Sequence, residues 1–173
     1  MTEDIPADAR AAFEGHDAYE STAEGYRLTT TVFDATVTAT AGEDWRTDFV
    51  VSVSVPTLDA AVADDAEGVG DAVLDGWFDT FRRRLEDAPA ATRASVDLDA
   101  FDVERDDGTV TVRYGFAFGS DERGVEIAKT FVEYVEGTYV EGVVPGYDYE
   151  SPVTDLLSAA ATDGTGERGG TPL

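Results

Sequence analysis

The chain has 173 residues, with 37 acids against 12 bases, one histidine and no cysteine, for a net charge of −25. One domain with a sizeable core is expected; disulfides and thiolate chemistry are excluded, and the charge argues against phosphate backbones and anionic lipid as partners. With 42% hydrophobic residues the chain is not composed like a disordered one, so the acidic excess reads as adaptation of a folded cytoplasmic protein to concentrated salt, where a Debye length of about 3 Å at 1 M screens repulsion.

No signal peptide and no apolar run approaching the roughly 20 residues of a bilayer span is visible. Residues 5–16, IPADARAAFEGH, predict a short amphipathic helix carrying Ile5, Ala9, Ala12, Phe13 and His16 on one face, with Asp4 as cap and Pro6 in the first turn. His16 stands beside Gly15 at the helix end, where a polar capping role is the default over acid–base chemistry. A polar link containing Gly25 follows. Tyr26, Leu28, Thr30 and Val32 then form either a separate strand turning before Phe33 or the start of one bent strand. Phe33, Ala35, Val37 and Ala39 share one face of a strand, and Trp45, Phe49, Val51, Val53 and Val55 repeat the pattern. A three-residue loop of Gly42, Glu43 and Asp44, pairing Ala41 with Trp45, keeps odd positions opposite odd ones. Pro56 ends the region, and residues 57–70, with Asp64, Asp65 and Glu67, read as a solvated, mobile connector.

The chain is organised around Asp71 to Ala88. At about 100° per residue, Val73, Leu74, Trp77, Phe78, Phe81, Leu85 and Ala88 fall within an arc of about 140°, so this helix must lie against a sheet or another helix. Asp71 is the expected N-cap, Pro89 marks the stop, and Asp79 stands one turn before Arg83 as an ion pair. Arg82, Arg83 and Arg84 form the one basic run, read as a solvated face near a helix C-terminus. Arg84 alone projects into the apolar arc, either as a snorkelling edge residue or as an anion-binding group in a groove.

Residues 96–118 hold a hairpin turning at Asp107-Gly108, which sets Val103 opposite Val112, Phe101 opposite Tyr114 and Asp102 opposite Arg113. The acids Asp97, Asp99, Asp102, Glu104, Asp106 and Asp107 lack the order of a calcium loop and read as surface groups. Ser120 or Asp121 caps the next helix, where Ile127, Ala128, Phe131, Val132, Tyr134, Val135 and Tyr139 share an arc of about 160°. Pro145-Gly146 makes a turn, Tyr147 and Tyr149 follow as a candidate contact patch, and a short helix runs from Ser151-Pro152 through Ala161.

These elements describe an α+β domain over residues 1–161. It holds an antiparallel sheet of four or five strands packed by two long amphipathic helices, in the order α-β-β-(β)-α-β-β-α plus a short C-terminal helix, with a disordered tail over 162–173. Over residues 5–140 the order resembles the type III secretion chaperone-like fold, shared by dimeric chaperones and bacterial sensory-transduction regulators. In GYRLTTTVFDATVTA, GWFDTFRRRLEDA and FDVERDDGTVTVRYGF the chain is similar to a small acidic haloarchaeal family of unknown function. That resemblance supports the high-salt reading and carries no catalytic residues.

There is no GxSxG, P-loop, GxGxxG or HExxH. The expectation is a non-enzymatic protein-binding or regulatory module, chaperone-like, holding a partner protein or a second copy of itself on its sheet or in the groove between its long helices. The alternative is a small-ligand binder or enzyme with a pocket lined by Arg84, Trp77 and Tyr114. No catalytic residue, metal site or cofactor is assigned, and neither nucleic acid nor membrane is expected as partner.

Overall fold

A computed structural model describes residues 5–63 and 68–169, with side chains through Ala161. Alternating burial along the strands builds a six-stranded antiparallel sheet in the order β1-β2-β3-β4-β6-β5, from β1 (Tyr19–Ser21), β2 (Tyr26–Leu28), β3 (Asp34–Ala41), β4 (Thr47–Pro56), β5 (Ala100–Asp106) and β6 (Thr109–Phe118). On one face Val37, Val51, Val112 and Tyr114 are fully buried. On the other, Thr36, Ser52 and Arg113 lie side by side, half-buried or exposed, as one-sided antiparallel sheets allow.

The apolar face is covered by helices. α1 (Ala7–Glu14) packs beside β1, and α4 (Asp121–Gly142) lies on β4 and β6; α3 (Asp71–Leu85) packs on α4. α4 starts where Ser120 accepts a hydrogen bond from the Arg123 N–H at 3.3 Å. It descends onto the sheet through Gly124, a position whose missing Cβ leaves room for the Phe49 ring.

The sheet has more strands than the four or five expected. β1 lies in what reads as a polar link, because only Tyr19 of its three residues is buried and β2 supplies its pairing. The Tyr26 segment is a separate strand, and the chain turns without Gly or Pro because the Glu136 carboxylate accepts the Phe33 N–H at 2.6 Å. The β3–β4 register is Ala41 opposite Thr47, not Trp45. Asp44 and Trp45 adopt left-handed backbone at φ 53° and 61°, and the Gly42 N–H bonds to the Arg46 carbonyl at 2.9 Å, closing a longer loop. A two-residue slip preserves parity, so the buried face is as expected. Trp45, however, leaves the strand and stands 99% exposed. The β5–β6 register is as the sequence predicts in every pair named above.

The connector after Pro56 is anchored, not mobile throughout. α2 (Leu58–Ala61) buries Leu58 and Ala61, and Val62 bridges to Tyr149; Asp64, Asp65 and Glu67 lie outside the described residues, as does Asp4. In α3 the N-cap is Gly70 instead of Asp71, and a 3-10 turn (Ala88–Ala91) follows. Its buried stripe narrows to Trp77, Phe81 and Leu85, with Val73 39% exposed, because α3 packs chiefly on α4 and reaches the sheet at Tyr114 of β6 and Arg105 of β5. Among the described residues Asp79 and Arg83 stay solvated without pairing. The last helix, α5 (Val153–Gly169), runs past Ala161. Its side chains from 162 onward and residues 170–173 are outside the description, and the expected tail falls there.

Candidate functional site

Two phenols fix the end of α3 against its neighbours. A helix leaves its last carbonyls without intrahelical donors. Here the Tyr114 hydroxyl donates to the Leu85 carbonyl at 2.8 Å, and the Tyr134 hydroxyl donates to the Arg84 carbonyl at 2.8 Å. Burial pushes both phenols above their ordinary range, so each remains a protonated donor at neutral pH.

With α3 held there, a trough opens between it and α4. One part, about 440 Å³, lies between Ala91 and the α4 residues Thr130, Glu133, Gly137 and Glu141. Past Arg84 and Thr138, which line both parts, it continues into about 250 Å³ walled by Gly76, Trp77, Thr80, Phe81, Gly142 and Val144. Its floor at that end is an aromatic cluster: Trp77 stacks on Phe81 at 5.3 Å, and Tyr139 meets both edge-on.

Three properties set this trough apart. Gly76 and Gly137 sit inside helices, where glycine costs about 0.5–1 kcal/mol relative to alanine. No atom lies within 4 Å of a Cβ at either one, so no neighbour in the fold requires the glycine. The Trp77 side chain is 5% exposed, and its Nε1–H has no hydrogen-bond partner. That nitrogen is the nearest heavy atom, at 3.7 Å, to the missing Cβ of Gly142, so the orphaned donor faces the glycine wall of the pocket. Finally, the acids along the walls are engaged: Glu141 with Arg84 at 3.6 Å and Glu133 with Lys129 at 2.8 Å. On a molecule of charge −25 the strip is locally balanced.

Of the residues expected at a site, Arg84 and Trp77 come together in the trough. Tyr114 does not: it is fully buried beneath α3, between Phe101 at 5.4 Å and Phe131 at 5.1 Å. Tyr147 and Tyr149 lie beyond the trough's end, edge to face at 6.5 Å, with the Tyr149 hydroxyl donating to the Val144 carbonyl. Sequence reasoning missed Gly76, Gly137 and Gly142, and for the first two the signal was there: glycines interrupting strongly periodic helices. Among the described residues no group of three His, Cys, Asp or Glu converges as a metal site, and no helix is long and apolar enough to cross a membrane.

A family model described as a family of unknown function, DUF5813, matches residues 14–159. The chain belongs to the DUF5813 family. No curated protein and no solved structure matches it. Every residue lining the trough falls inside the segment this family model covers.

Proposed function

We propose that this DUF5813 chain is a non-enzymatic binding module that holds an extended segment of a partner protein in the trough between α3 and α4. The observation that carries this reading is the buried, unbonded Nε1–H of Trp77 facing a glycine wall. A buried donor left unmade costs about 1–3 kcal/mol, and an acceptor arriving with a partner removes that cost. Backbone carbonyls of an extended strand are free to accept, whereas those inside a helix are already used, which favours an extended occupant. From Thr130 to Gly142 the α4 wall spans about 18 Å at 1.5 Å per residue, the reach of about five extended residues. Arg84, half-exposed and held by one 3.6 Å contact to Glu141, can exchange that partner for an acidic group on the occupant.

Trp77 also supplies the readout. Replacing Trp45, the other tryptophan, by Phe leaves Trp77 as sole indole emitter. Short peptides with and without an acidic residue, titrated into that variant in molar KCl, should shift its emission saturably, and Gly137→Leu, which fills the trough without adding an indole, should abolish the shift. A panel with no saturable change, or one indifferent to Gly137→Leu, refutes the reading. A small carboxylic acid that saturates where every peptide fails would instead support the small-ligand alternative at the Trp77–Arg84 end.

A further inference from the structure

Beyond Thr130, toward the start of α4, a separate cavity of about 230 Å³ lies between α4 and the loop after the 3-10 turn. Arg93 of the loop and Arg123 of the first turn of α4 line it, together with Thr92 and Thr130. Bases are scarce in this chain, 12 against 37 acids. Arg27, Arg84 and Arg105 each stand within 4 Å of a carboxylate. Among the described residues, Arg93 and Arg123 make no ion pair, although they line the same cavity.

The acid in the wall, Glu126, has a partner of its own. The His16 Nδ1 accepts the Ala18 N–H at 3.1 Å, so Nε2 carries the ring proton and donates it to Glu126 at 2.5 Å. The Thr92 Oγ1 accepts the Ala94 N–H at 3.3 Å, which positions that oxygen and leaves its own proton available to donate.

We propose that Arg93 and Arg123 form a binding site for a phosphate-class dianion, completed by the Thr92 and Thr130 hydroxyls. Two guanidinium forks supply paired donors for two negative charges, whereas a monocarboxylate would leave one fork unmet. The net charge of −25 does not prevent this in concentrated salt. With a Debye length of about 3 Å at 1 M, acids elsewhere on the surface are screened from the cavity, and the one acid in its wall, Glu126, is already bonded to His16.

The inference stands independently of the peptide reading. Failure of peptides at Trp77 leaves this site intact, and failure of phosphate here leaves the trough intact. The test is calorimetric titration of inorganic phosphate into the full chain in molar KCl, at a pH well above the second ionisation of inorganic phosphate, so that the dianion is the titrant. The parent should bind saturably. Arg93→Gln and Arg123→Gln should each weaken binding about tenfold or more, as expected for losing one charge-assisted pair. Both side chains are exposed, so the melting midpoint should not move and a folding defect is told apart from a binding one. Glu126→Gln, which removes the like charge from the wall, should tighten binding. A phosphoserine peptide separates the sources of the group: tighter binding than free phosphate assigns it to a partner side chain, equal binding to the free ion. No saturable heat, affinity indifferent to both arginines, or acetate bound as tightly as phosphate overturns the proposal.

Discussion

Replacing Gly137 by Ala should make the protein more stable and a poorer peptide binder at once. Within a helix interior the added methyl is worth about 0.5–1 kcal/mol, and nothing stands within 4 Å of the new Cβ to oppose it. For a chain of this size about 2–4 °C of melting midpoint accompanies each kcal/mol, so a rise of about 1–4 °C is expected. Gly124→Ala, in the same helix and with the same propensity gain, is the control of opposite sign. Its Cβ would stand 2.3 Å from Cε2 and 2.4 Å from Cζ of Phe49. That ring is fully buried, stacked on Phe116 at 5.2 Å and edge-on to Phe13 at 6.3 Å, so it cannot swing aside. Overpacking costs about 1–3 kcal/mol. Less the propensity gain, Gly124→Ala should lose up to about 2.5 kcal/mol and up to about 10 °C. Thermal melts by circular dichroism in molar KCl read both signs, and Trp77 emission in the Trp45→Phe background reads binding. Gly137→Ala melting below the parent would refute the packing argument. Gly137→Ala binding peptides as tightly as the parent would refute the claim that bare backbone is kept there for close approach.

Burial pushes the Glu136 carboxyl above its ordinary value of 4.5, opposed by the backbone N–H groups of Phe33 and Val32. The native state therefore holds this proton more tightly than the unfolded chain. Its contribution is fully present below the unfolded pKa and is lost as pH rises through the raised one. Glu136→Gln keeps an acceptor for Phe33, so it should melt at or above the parent at neutral pH, with the gap closing as pH falls toward about 4. A gap independent of pH contradicts the assignment. Tyr114→Phe removes the donor from a buried Leu85 carbonyl and should cost about 1–3 kcal/mol. Tyr134→Phe should cost less in chemical denaturation, because the Arg84 carbonyl also accepts the Asp87 N–H at 3.1 Å. The net charge of −25 predicts a melting midpoint that climbs as KCl is raised from dilute buffer to molar concentration. A midpoint insensitive to KCl would show that repulsion among the surface acids does not limit stability.

The parts of this fold that can be read locally are those whose decisive interactions are local. Asp107 and Gly108 both take positive φ, 46° and 86°, which an Asp-Gly pair announces, and the β5–β6 register follows from it. The β3–β4 loop has no such signal, because left-handed backbone falls on Asp44 and Trp45, neither of them glycine. The alternation around it still puts Val37 and Val51 on the buried face. The turn before β3 is fixed by Glu136 from α4, a partner no neighbouring residue points to. The site divides along the same line. The helical arc of α3 brings Trp77 and Arg84 to one side, which sequence shows. That Tyr114 serves the end of α3 instead of a ligand depends on where a helix terminates in space, which sequence does not. Gly76 and Gly137 are visible as interruptions, but only the packing of α3 on α4 places them on the walls of one trough. Each lowers helix stability by about 0.5–1 kcal/mol, and the unbonded Trp77 donor lowers it further. These deficits lie along one strip, while Gly124 and Tyr114 elsewhere are matched to their neighbours within ångströms. A fold this well fitted in its core and poorly satisfied along one surface strip has its unmet interactions where a partner can meet them.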